Sequence, residues 1–92
     1  MARVHVEFFG VARQSAGVDK ISLDIQHGEP SLADVLQRLV ELFPALAGHC
    51  IEKGRLARGF IANIDGDRFV RDPSTPLPSG CALLIMTSDA GG

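Results

Sequence analysis

The chain has 92 residues, enough for one domain built around one modest hydrophobic core. Nine basic and eleven acidic side chains are scattered along it, with no Trp or Tyr, so it lacks the basic stripe and stacking platforms of a nucleic-acid binder. No stretch approaches the length of a transmembrane helix, and the opening "MARVHVEFFG" lacks the unbroken apolar run of a signal peptide. The expected location is therefore cytoplasmic, with neither nucleic acid nor membrane as a partner.

Residues Arg3 to Phe9 place Val4, Val6 and Phe8 on one face and His5, Glu7 and Phe9 on the other, the period-two pattern of a half-buried strand. "GVARQSAGVD" follows, and Gly10 and Gly17 predict a turn-prone connection. "KISLDIQ" alternates again with Ile21, Leu23 and Ile25 inward, so the first two strands read as a wide-loop hairpin.

Over 31–43, Leu32, Val35, Leu36, Leu39, Val40 and Phe43 recur at helical spacing. Ser31 is placed as an N-cap with Asp34 three residues on, and Pro44 stops the helix by forcing Phe43 out of helical geometry. "ALAGHCIEKGRLAR" reads as loop with at most a short helical turn, because Gly48 and Gly54 interrupt it. "GFIANI" and "RFV" flank Asp65-Gly66-Asp67, a tight-turn signal between two strands. The three prolines of "RDPSTPLPSG" exclude a central strand. "CALLIM" is an uninterrupted apolar run, expected to be buried on both faces at the centre of the sheet, beside the first strand.

Cys50 and Cys81 are too few for a zinc or iron–sulfur site and read as small buried hydrophobes. His5, His27 and His49 show no ligand spacing, and the six serines have no visible His and Asp framework. The sequence therefore contains no self-sufficient active site. An α+β fold remains, a mixed sheet of four to five strands with one main helix across one face, in the β-grasp arrangement.

The sequence closes on "SDAGG". With "VEFFGVARQSAG" in the first hairpin, the Ser-capped helix, "ANIDG" and "LPSGCALLIMTSDAGG", the chain resembles the ubiquitin-like sulfur-carrier family, which includes the molybdopterin synthase small subunit and the thiamin-pathway sulfur carrier. It departs from that pattern in having Cys81 after Gly80, and Met86-Thr87-Ser88 in place of prolines before the tail. The resemblance divides the chain into a β-grasp domain over 1–87 and a flexible Gly-Gly tail over 88–92.

It also implies a chemistry. The Gly92 carboxylate would be adenylated by a ubiquitin-activating-type enzyme, then converted by a persulfide donor protein into a thiocarboxylate that donates sulfur. No cofactor would be held tightly; ATP with Mg would be used by the adenylating partner. The acceptor would be a molybdopterin synthase large subunit or an analogous enzyme. Gly91 and Gly92 lack a Cβ, which lets the tail thread a narrow channel. Phe9, Phe69 and Met86 are candidates for the docking face, because strand alternation puts Phe9 outside the core and Met86 stands at the tail root; Ala90 joins them as a tail contact. Three other readings remain open: a protein modifier conjugated through Gly92, a carrier for thiamin or cysteine synthesis, and a β-grasp interaction module.

Overall fold

The computed structural model describes residues 2–26 and 28–88. Its elements in order are β1 (Ala2–Phe8), α1 (Gly10–Ala16), β2 (Lys20–Ile25), α2 (Leu32–Leu42), a 3-10 turn (Pro44–Leu46), β3 (Ile51–Glu52), β4 (Arg55–Leu56), β5 (Phe60–Ile64), β6 (Arg68–Val70) and β7 (Ala82–Thr87). Five strands form one sheet in the order β2-β1-β7-β5-β6, and β3 and β4 form a separate small hairpin. β1 and β7 run parallel, with Val6 opposite Leu83 and Phe8 opposite Ile85, while the other neighbouring pairs in the large sheet are antiparallel. This is the β-grasp arrangement. Among the described residues no helix is long and apolar enough to cross a membrane.

The helix expected over 31–43 forms as α2, and the start of it is fully accounted for. The Leu32 and Ala33 N–H groups donate to the carbonyls of Thr75 and Pro73. The Asp34 N–H donates to Ser31 Oγ, and the Asp34 carboxylate accepts from the Ser31 N–H, which completes a capping box. The proline-rich segment thus forms no strand but satisfies helix donors that would otherwise be orphaned. Leu32, Val35, Leu36 and Leu39 are buried against Val4, Val6 and Phe8 of β1 and Leu83 and Ile85 of β7, in one core cluster. Phe43 closes its edge, the ring standing edge-on to Phe8 at 5.8 Å.

Three expectations need correction. The segment after β1 is a helix, α1, where the glycines had predicted only a connection; Gly17, at φ +81°, is its left-handed C-cap and donates to the Arg13 carbonyl. With seven residues and only Ala12 buried, α1 is too short to show an apolar stripe in sequence. The stretch expected to be loop contains the β3–β4 hairpin, which turns on Lys53 and Gly54, both at positive φ. Two-residue strands carry too little alternation to be read. Finally, β7 is not buried on both faces: Leu83 and Ile85 are buried, whereas Ala82, Leu84 and Met86 are only half-buried. Its apolar run conceals an alternation between core and an open face.

Candidate functional site

That open face, on the side of the sheet away from α2, divides into two halves. Register places Lys20, Glu7, Leu84, Asn63 and Phe69 in one row across all five strands, and Met86 beside Ile61 in the next. On the β2–β1 half, two cross-strand polar pairs are joined by hydrogen bonds. Arg3 Nε donates to Asp24 Oδ1 at 2.8 Å, and His5 Nδ1 lies 2.8 Å from Ser22 Oγ. The hydrogen bond from Arg3 holds the Asp24 carboxyl below its usual range, and the same bond raises Arg3. In those two pairs each side chain satisfies its neighbour.

The β7–β5–β6 half is apolar. Ile61, Phe69, Met86, Thr87 and Ser88 line a shallow recess of about 220 Å³. Phe69 is 64% exposed, the most open of the large apolar side chains among the described residues. A cluster of this kind on a small domain marks a protein-binding surface more often than a packing fault. The recess sits where β7 ends, so it lies at the root of the segment that runs on to Gly92.

The start of β7 is held tightly. The Asp65 N–H donates to the Ala82 carbonyl, and the Ala82 N–H donates to Asp65 Oδ1, each at 2.8 Å. Asp65 sits at φ +58°, a left-handed conformation that Asp tolerates better than most residues. At the other end, the Ser88 N–H donates to the Gly59 carbonyl at 2.8 Å. The last described residue is therefore tied to the sheet.

The thiols are not placed for chemistry. Both cysteines are buried and unbonded to one another, as read from sequence. Burial pushes both thiols up, and the nearby Asp65 carboxylate adds to the effect at Cys81. A thiol held protonated is a poor nucleophile. Among the described residues, no group of three His, Cys, Asp or Glu side chains is placed to hold a metal ion.

Of the residues singled out in sequence, Phe69 and Met86 come together in the recess. Phe9 does not line it. It is 40% exposed at the end of β1, where its N–H donates to the Ile85 carbonyl and its extended backbone caps α1. Ala90, Gly91 and Gly92 lie outside the described residues. Ile61, Asn63 and Leu84 were missed, although alternation held their signal: with Ala62 and Ile64 inward, Ile61 and Asn63 must face the other way.

No protein-family model and no curated protein matches the chain. Solved structures do. The small archaeal modifier protein 1 (SAMP1) of Methanosarcina acetivorans superposes with a TM-score of 0.79 at 27% identity, covering 100% of this chain and 98% of that one. A putative molybdopterin converting factor subunit 1 from Pyrococcus furiosus gives 0.73 at 19% identity, over 95% and 98%. A chain of the BexX/CysO complex from Amycolatopsis orientalis gives 0.72 at 18% identity, over 97% and 99%.

The chain has the ubiquitin-like β-grasp fold of these proteins. In this ubiquitin-like frame the recess and the tail root share one edge of the open sheet face. The polar half, carried by β2 and β1, adjoins it along β7.

Proposed function

We propose that the chain is a sulfur carrier that works through the Gly92 carboxylate. One observation carries the reading: an apolar recess formed by Ile61, Phe69 and Met86 opens at the root of the segment bearing Gly91 and Gly92, with Thr87 and Ser88 in its wall. Ordering a glycine tail in a partner's channel costs conformational entropy, and contacts made by the folded body must offset it. The recess supplies that body contact beside the tail.

The chemistry starts from a poor acyl donor, since a carboxylate has no adequate leaving group. A ubiquitin-activating-type enzyme transfers AMP from ATP, with Mg, to the Gly92 carboxylate and releases pyrophosphate. The outer sulfur of a persulfide donor attacks the acyl carbon and AMP leaves. A second thiol then cleaves the resulting acyl disulfide, ending in a disulfide itself and leaving the thiocarboxylate on Gly92. The domain contributes docking and tail placement, and the buried, protonated thiols of Cys50 and Cys81 stay out of the exchange.

The destination we favour is a molybdopterin synthase large subunit, in line with the name of the Pyrococcus neighbour, which makes that protein one subunit of a converting factor. The BexX/CysO complex supports an acceptor enzyme as the class of partner. Conjugation to target proteins through Gly92 is the second reading, favoured by the modifier name of the Methanosarcina neighbour.

The test is incubation with the adenylating enzyme of the same genome, ATP, Mg and a persulfide donor. The intact mass should show one carboxylate oxygen replaced by sulfur. A variant with one residue appended after Gly92 should fold alike and gain no sulfur. Equal pathway activity from the appended variant, with no protease present to trim it, would overturn the reading.

A further inference from the structure

Asn63 is the one polar side chain fully buried among the described residues, at 5% exposure. Its Oδ1 is shielded from solvent and accepts no hydrogen bond from any described residue. Register fixes where it sits. Ala62 opposes Ile85 and Val70 in the core, so Asn63 faces the open side, between Leu84 of β7 and Phe69 of β6. It is thus an unpartnered amide inside the apolar half of the face, one row from the Ile61–Met86 pair of the recess.

Stability does not explain this residue. A buried carbonyl oxygen without a donor costs free energy, and an apolar side chain of similar size would remove that cost. On the other half of the same face Arg3, Asp24, His5 and Ser22 have each found a partner, so the fold can satisfy polar groups there. An orphan in the apolar half is accounted for when its donor arrives from outside.

The chemistry of the amide narrows what arrives. A side-chain amide presents a carbonyl and an NH2 in one plane. A purely apolar surface laid over the patch would bury the NH2 beside the already shielded carbonyl and satisfy neither. A lone carboxylate or ammonium would satisfy one and leave the other. A backbone peptide group presents one donor and one acceptor, which match both. The last torsion of Asn is a broad two-fold rotor, so the amide can turn to meet such a group.

Resting on the sulfur-carrier reading, we propose that Asn63 sets the register of docking: its amide pairs with an extended backbone segment of the enzyme that activates Gly92, while apolar side chains of that segment fill the recess. The activating enzyme is the occupant because both fates of Gly92, sulfur transfer and conjugation, pass through it before any acceptor. Gly92 lies four residues beyond Ser88, a span of at most about 14 Å. An active site holding Gly92 must therefore come within that distance of the end of β7, which the recess borders.

The experiment compares the parent chain with Asn63→Leu and, as a control in the polar half, Ser22→Ala. Urea denaturation reads the free protein, and calorimetry with the adenylating enzyme of the same genome reads docking. Asn63→Leu should unfold at an equal or higher midpoint than the parent yet bind about tenfold more weakly, the loss of one amide pair. Ser22→Ala should bind as the parent does. In the parent, the Asn63 side-chain amide resonances should shift when the enzyme is added. That readout stands even if Asn63→Leu fails to fold. Unchanged amide resonances, or parent-like affinity of folded Asn63→Leu, would overturn the role of Asn63 while leaving the carrier reading intact. A parent chain that the enzyme neither binds nor adenylates would overturn the carrier reading itself.

Discussion

Asp65 and Ala82 exchange two hydrogen bonds of 2.8 Å, one from backbone to backbone and one from the Ala82 N–H to the Asp65 carboxylate. The pair joins the β5–β6 turn to the first residue of β7, so a side chain at a tight turn fixes the strand that carries the tail. Asp suits the position twice, because it supplies the acceptor and tolerates φ +58°. Asp65→Ala loses both and should cost about 2 kcal/mol, one hydrogen bond plus left-handed strain. Asp65→Asn keeps an acceptor and a tolerant backbone and should lie within about 0.5 kcal/mol of the parent. Urea midpoints of the two variants check the difference.

The core prediction concerns α2. Leu36 is fully buried in the cluster that joins this helix to β1 and β7. Leu36→Ala should cost about 2–5 kcal/mol, the transfer loss plus the cavity left behind. Ser31→Ala removes the acceptor for the Asp34 N–H and should cost about 1 kcal/mol. Chemical denaturation of both should rank them in that order.

Acid sensitivity has a readable sign. Asp72 is held below its usual range chiefly by the Ser74 backbone N–H, which donates at 2.9 Å, and by the Ser74 hydroxyl at 2.7 Å. Asp24 is held down by Arg3. A carboxyl with a depressed folded pKa contributes stability above its unfolded value, about 3.9, and loses it as pH falls through the folded value. Asp72→Asn and Asp24→Asn should each flatten the acid limb of a stability profile. Added salt should erase more of the Asp24 effect, because that ion pair is exposed.

The thiols act on the alkaline side. Burial raises Cys50, so its contribution is whole below the unfolded thiol value of about 8.5 and declines as pH rises beyond it. Cys50→Ala should remove that decline. At neutral pH a thiol reagent should label the native chain slowly and the urea-unfolded chain at both cysteines.

Much of this architecture was legible because its signals are local. Ser31, Asp34 and Pro44 state the limits of α2, and Asp65-Gly66 states the turn between β5 and β6. What was hidden depended on distance or brevity. The seven residues of α1 make barely two helical turns, and the two-residue strands β3 and β4 one alternation each, too little repetition to read. The open face was hidden differently. β7 reads as uniformly apolar, and only its register against Asn63 and Ile61 shows that Leu84 and Met86 face outward. No sequence pattern announces that Asn63 lacks a partner, since that follows from what three strands fail to provide.

Exposure separates residues that hold the fold from those that meet a partner, and Phe8 and Phe69 are the sharpest contrast. Phe8 is 1% exposed inside the core, and Phe8→Ala should cost about 3–5 kcal/mol of stability. Phe69 is 64% exposed beside Met86, so Phe69→Ala should change stability by no more than about 0.5 kcal/mol. Its effect should appear in docking, where loss of a central apolar anchor costs about 2 kcal/mol or more. Met86→Ala should weaken docking similarly, with some loss of stability because Met86 is half-buried. Phe9 stands outside the recess, so Phe9→Ala should weaken docking less than either. Calorimetry with the adenylating enzyme, run beside urea denaturation of each variant, tests the ranking. If folded Phe9→Ala proved the weakest binder, the docking face would centre on the end of β1 instead of the recess.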